Sequence, residues 1–366
     1  MLEPLIDQKL KVSRLMSIQK SLVLIVGAGA SKEADLPVGS ELKRHISRVL
    51  NFKIDHQSPA STSERVLFSA FKLATSFNPS RPDINLYLNA ARRVSDAMPQ
   101  ALSIDNFIDS HRSDEAITLS GKLAIAWCIL EAESKSILTV DRRNIYNKLD
   151  FSKASPTWFN AFFQILTENC QESDLPDRLS KVAIICFNYD RCLEHYLHSS
   201  FQNYYGMKVE DSIAALARIE IYHPYGTVGK LPWQHKDGVD FGVTPEPMQL
   251  YALAGELRTF SEGVDPSKSD ILEIRSLVES AERIAFLGFA FHRLNMQLLF
   301  SPPAGLRAKK SCKIYATAHG ISTSDVREIE AELSDFGHLQ AANIFLRNDL
   351  RCAELFHEFW RSLSLS

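Results

Sequence analysis

"LVLIVGAGASKEADLPVGSEL", residues 22–42, is the stretch that decides the fold. Ser21 to Val26 is a short apolar run, rich in β-branched residues, that ends in glycine. Such a run predicts a buried parallel strand. Beyond the turn, Leu42, Ile46, Val49 and Leu50 fall at helical spacing. Between them lies Gly27-Ala28-Gly29-Ala30-Ser31. Gly27 and Gly29 lack a Cβ, so the chain can bend tightly and the backbone can approach a ligand closely. Amides at a following helix start attract a pyrophosphate. The usual dinucleotide fingerprint wants a third glycine at position 32, and Lys32 stands there. No acidic residue ends a second strand about 20 residues further on. Taken alone, the turn fits a nucleotide cradle and a ligand-free strand–helix turn equally well.

Five further apolar runs predict buried strands: 182–188, 219–223, 283–289, 313–317 and 343–347. Helical patterns lie between many of them. The expected fold is α/β, a Rossmann-like, mostly parallel sheet with helices on both faces. Residues 51–180 differ, with helical patterns such as "GKLAIAWCILEAESKSIL" and few strand-like runs. They read as a large helical insertion subdomain, leaving 1–50 and 181–366 as the Rossmann domain. "DHQSPASTSE" (55–64) reads as a polar loop. The Gly- and Pro-rich stretch 225–247 reads as an irregular loop over the site.

Composition narrows the function classes. The chain has 366 residues, 45% hydrophobic and 23% charged, which is ordinary for a globular protein. A net charge of −3 argues against a broad nucleic-acid-binding surface. No run reaches the ~18 apolar residues needed to cross a bilayer. The charged start "MLEPLIDQKLKVSRLM" does not fit a signal peptide, so a cytoplasmic, membrane-free location is expected. The six cysteines form no C-x-x-C pair, and no metal is expected.

"GAGAS" followed by "DLPVGSEL" resembles the start of the sirtuin-like NAD-binding family. Three later stretches resemble that family in order: "CFNYDRCLE" (186–194), "IYHPYGTVG" (221–229) and "FLGFAFHRLN" (286–295). Asn-Tyr-Asp is the form of its bacterial branch, and "SIDNFID" (103–109) looks like an acidic-aromatic segment of bacterial members. The four zinc cysteines of the protein deacetylases are absent. The resemblance therefore implies the bacterial antiphage branch, zinc-less enzymes that cleave NAD to nicotinamide and ADP-ribose and stop host and virus together. It implies NAD as substrate and a likeness of contacts at Gly27, Ala28, Gly29, Ala30, Ser31, Leu36, Pro37, Gly226, Gly288 and Phe289. It also implies regulation through a homo-oligomer, a separately encoded ring ATPase of the HerA kind, or an Argonaute-like sensor.

The chemistry asked of the site is specific. The N-glycosidic bond of NAD joins ribose to a pyridinium, so nicotinamide leaves neutral. An enzyme has to hold the ribose, stabilise an oxocarbenium-like transition state and admit a nucleophile. Asn188, at a strand end, can orient a water or a ribose hydroxyl. Asp190 can anchor a hydroxyl or cap the next helix. The family's catalytic histidine directly precedes glycine, but here Tyr225 precedes Gly226 and His223 lies two residues earlier. An extended strand would turn both to one side. His223 would then serve as general base and Tyr225 would line the pocket. Asp105 either reaches the ribose or caps a helix.

Overall fold

The computed structural model describes residues 19–52, 61–77, 83–140, 148–267, 269–300, 311–337 and 341–366. Six strands form one parallel sheet: β1 (Leu22–Val26), β2 (Val182–Cys186), β3 (Glu220–Tyr222), β4 (Arg283–Leu287), β5 (Lys313–Thr317) and β6 (Ile344–Arg347). Their order is β3-β2-β1-β4-β5-β6. This is the doubly wound arrangement, in which the chain reverses direction across the sheet beside β1. Leu22 is in register with Val182 on one side, and Val23 with Ile284 on the other. All six predicted strands are present, within two residues at each end.

β1 and β2 are apolar throughout because both their faces are covered, and β4 is apolar after Arg283 at its start. Val23, Ile25, Ala183, Ile185, Ile284 and Phe286 enter one apolar core. Leu22, Leu24, Val26, Val182, Ile184, Cys186, Ala285 and Leu287 enter a second core across the sheet. Alternating side chains of one strand thus feed opposite layers.

The insertion is not an appended subdomain. Among its described residues it is helical, as expected, but it supplies helices to both layers. Helices Thr62–Phe77, Ile84–Ala97 and Glu115–Lys135 build the first core. Trp158–Thr167 and Leu175–Ser180 build the second. Eight consecutive residues, Leu123 to Leu130, are buried, so the helix carrying them is enclosed on every side. Most of the polar loop expected at 55–64 lies outside the described residues; from Thr62 the chain is already helical. Among the described residues no helix is long and apolar enough to cross a membrane.

Candidate active site

Open parallel sheets bind ligands beyond the carboxyl ends of the strands, where the strand order reverses. Here that point lies between β1 and β4, and the turns after both strands pack against each other through their backbones. The Gly27 amide donates to Leu287 O at 2.9 Å, and the Gly29 amide to Gly288 O at 2.9 Å. A Cβ on Gly27 would lie 2.7 Å from Gly288 O, and one on Gly29 would lie 2.9 Å from the Gly288 Cα. A Cβ on Gly288 would lie 2.0 Å from the Ala30 nitrogen. The glycines are therefore explained first by backbone crossing, and only second by room for a ligand.

That crossing consumes donors that the sequence reading offers to a pyrophosphate. Gly29 gives its N–H to Gly288, Ala30 gives its N–H to Gly27 O, and Gly288 gives its N–H to Thr317 Oγ1 at 2.8 Å. The helix after the turn is also short, Ala28–Ser31, followed by a tighter turn at Lys32–Ala34. The long helix begins only at Gly39. Ala28, Gly29 and Gly288 are partly exposed at the mouth. Leu36 and Pro37 are buried, with Leu36 in the second core beside Ala30 and Ala34.

Asn188 stands two residues past β2. Its Nδ2 donates to Gly27 O at 3.1 Å and to Ser31 Oγ at 2.8 Å. Gly27 O accepts only, so the amide orientation is fixed, with nitrogen toward the turn and Oδ1 away from it. Asp190, one residue before the N-cap Arg191, accepts from the Cys192 amide at 3.1 Å at the start of the helix Cys192–Tyr205, and it also meets the Ser31 hydroxyl. Burial raises its pKa.

His223 and Tyr225 do not share a side. β3 ends at Tyr222, and the Gly226 amide donates to His223 O at 3.0 Å, so 223–226 is a turn. The extended geometry expected from sequence fails because Pro224 and Gly226, at φ +73°, favour turning. His223 points back under Asn188: Nδ1 lies 3.2 Å from Asn188 O and Nε2 lies 2.8 Å from Glu194 Oε1. Tyr225 points the other way and donates to Asn295 Oδ1 at 2.6 Å. Its ring packs edge-on against Phe187, which in turn packs against Phe289.

Asp105 comes from the insertion. It lies in the first turn of helix Ile104–Ser110, whose cap is Ser103, so Asp105 is not the cap residue. Its carboxylate accepts from the Tyr189 hydroxyl. Burial raises the Asp105 pKa, and burial beside that carboxylate raises the Tyr189 phenol well above 10.0. The Asn-Tyr-Asp turn is thus joined to the insertion through its tyrosine.

Glu133 and Glu33 also escaped the sequence reading. Glu133 and Arg191 form a salt bridge of 2.5 Å, with side chains 0% and 1% exposed. Arg191 also donates to Val239 O at 2.6 Å and Asp240 O at 3.1 Å, and Glu133 accepts from the Gly242 amide. The irregular loop after β3 is therefore clamped to the insertion helix. Glu33, in the first turn, accepts from the amides of Trp158 and Ala353 at 2.7 and 3.0 Å. One carboxylate so serves the starts of two helices. Nothing in the sequence marks these charges as buried, since a lone Glu or Arg ordinarily reads as surface.

The chain was compared with protein-family models and with curated proteins, and neither comparison gives a match.

Proposed function

We propose that this chain is an NAD glycohydrolase of the sirtuin-like kind, acting as an antiphage effector that depletes NAD. The observation that carries this reading is the setting of Asn188. It sits beyond the end of a central strand, beside the reversal point, with its donor end spent on Gly27 and Ser31. Its Oδ1 is the acceptor it has to offer. An acceptor held rigidly there suits an attacking water or a ribose hydroxyl, each of which must present its oxygen in one direction. Because nicotinamide leaves neutral, the step asks for orientation and electrostatic support rather than for acid assistance to the leaving group. Nearby, Tyr225 packs on Phe187, which packs on Phe289 after β4, and Asp105 binds the hydroxyl of Tyr189.

The test is incubation of the full chain with NAD, following nicotinamide and ADP-ribose by chromatography. Asn188→Ala is expected to lower turnover about 100- to 1,000-fold, the scale of losing one preorganised polar group. Cleavage at the wild-type rate by that variant would remove Asn188 from the mechanism.

A second reading is favoured by the donors already consumed in the turn and by the Tyr225–Asn295 hydrogen bond. In it the chain senses NAD or ADP-ribose and signals to a partner. It predicts saturable binding without turnover. The first reading calls for control through self-association or a second protein, because an unrestrained NADase would poison its host.

A further inference from the structure

We propose that Glu194 and His223 form a fixed carboxylate–imidazolium pair that holds the Asn188 backbone, so that His223 is a positioning residue and not the base. The proposal rests on the glycohydrolase reading for its purpose, but its first test does not.

The argument is geometric. Nδ1 of His223 faces the carbonyl oxygen of Asn188 at 3.2 Å, and Nε2 faces Oε1 of Glu194 at 2.8 Å. A carbonyl and a carboxylate oxygen both accept. A neutral imidazole has one N–H and one lone pair, so it would set that lone pair against one of the two oxygens. With Glu194 ionised, as its lowered pKa keeps it, only the imidazolium satisfies both. A cation with both nitrogens occupied has no lone pair with which to take a proton from substrate. The ring instead ties the peptide of Asn188 to helix Cys192–Tyr205, which carries Glu194.

The surroundings agree. Both side chains are almost enclosed, at 10% and 7% exposure. Burial alone would press the histidine pKa down, but the adjacent carboxylate outweighs it and holds the pKa well above 6.5. The same pairing keeps Glu194 below its ordinary value against the upward push of burial. Cys186 at the end of β2, Asp190 in the turn and Lys230 in the loop are the other charged or titratable groups facing the pair. The Cys186 thiol is neutral because burial raises its pKa. Among the described residues Glu194 Oε2 has no hydrogen-bond partner, so the imidazolium is the chief group that compensates this carboxylate, ahead of its own backbone amide and Lys230.

The experiment is long-range 1H–15N NMR of the full chain labelled in histidine, between about pH 5.5 and 8.5, with His223→Gln used to assign the ring. Both nitrogens of His223 are expected to stay protonated across that range. A ring that loses a proton with a midpoint near 6.5, or that holds one unprotonated nitrogen throughout, overturns the proposal. This result stands whether or not the chain cleaves NAD. Where cleavage is observed, Glu194→Gln is the second arm. A neutral carboxamide leaves the histidine free to titrate, so the variant's kcat is expected to fall at least tenfold from pH 5.5 to 8.5. The wild-type kcat is expected to show no histidine ionisation there. A wild-type rate that rises with a midpoint near 6.5, as a histidine base demands, overturns the positioning role. So does a variant whose pH profile matches the wild type. If Glu194→Gln does not fold, the spectrum of the unaltered chain decides.

Discussion

Gly288 has φ +55°, and a Cβ there would strike the Ala30 nitrogen. Two costs coincide, a left-handed backbone and a steric collision with another main chain. Gly288→Ala is expected to lower stability by about 3 kcal/mol or more, read from the denaturant midpoint. Gly39 is the control: it opens the first long helix, and a Cβ there would meet nothing within 4 Å. Gly39→Ala is expected to raise stability by about 0.5 kcal/mol, chiefly by restricting the unfolded chain. At this scale the sequence was partly readable. Gly27, Gly29 and Gly288 announce a backbone that must come close to something. That the something is another stretch of this chain needs the pairing of β1 with β4, which no local pattern reports.

The loop after β3 shows how an element without regular structure becomes fixed. Arg191 and Glu133 clamp it from beneath, both shielded from bulk solvent. Removing one partner strands the other, so Glu133→Gln or Arg191→Met is expected to cost about 3–5 kcal/mol. Glu133→Leu combined with Arg191→Met is expected to cost clearly less than the sum of the single losses, measured by a double-mutant cycle. The same loop rests on two histidines of the helix Cys192–Tyr205. His195 stacks on Phe241 at 4.2 Å, and His198 stacks on Trp233 at 4.3 Å. Burial lowers each pKa from 6.5 to about 4. With folded values depressed, their contribution is complete above pH 6.5 and is lost as pH falls toward 4. Denaturant midpoints are expected to drop across that window, and His195→Gln with His198→Gln is expected to flatten the drop. The Glu194–His223 pair has the opposite slope on its histidine side. Its raised value makes that contribution complete below pH 6.5 and weaker as pH rises beyond it.

At the scale of the whole molecule, the sheet was legible because its inner strands are covered on both faces, so they read as largely apolar runs. β2 shows this with Val182-Ala183-Ile184-Ile185-Cys186, buried throughout. The insertion was legible as helices but not as a layer. Periodicity shows that a helix such as Trp158–Thr167 has an apolar face, not which side of a sheet that face meets. The site was legible where motifs stand at strand ends, as Asn188 does. It was misread at His223, because a turn and a strand end differ by only a few residues and reverse where a side chain points.

The place of β1 at the middle of the sheet has a consequence for how the molecule is made. β1 is synthesised first among the strands. Its neighbour β2 begins at residue 182, and the strand on its other side begins at residue 283. At ribosomal rates of about 5–20 residues per second, β1 waits many seconds with both of its edges open. Contacts so distant along the chain slow folding, because loop closure is costly before pairing repays it. Nascent chains halted before β4 are therefore expected to remain protease-sensitive and to engage chaperones, and protection of the first strand is expected to arise only after residue 287 has left the exit tunnel. A chain assembled this way lacks the crossing of its two strand-end turns through most of its own synthesis, since the turn that carries Gly288 is among the late arrivals.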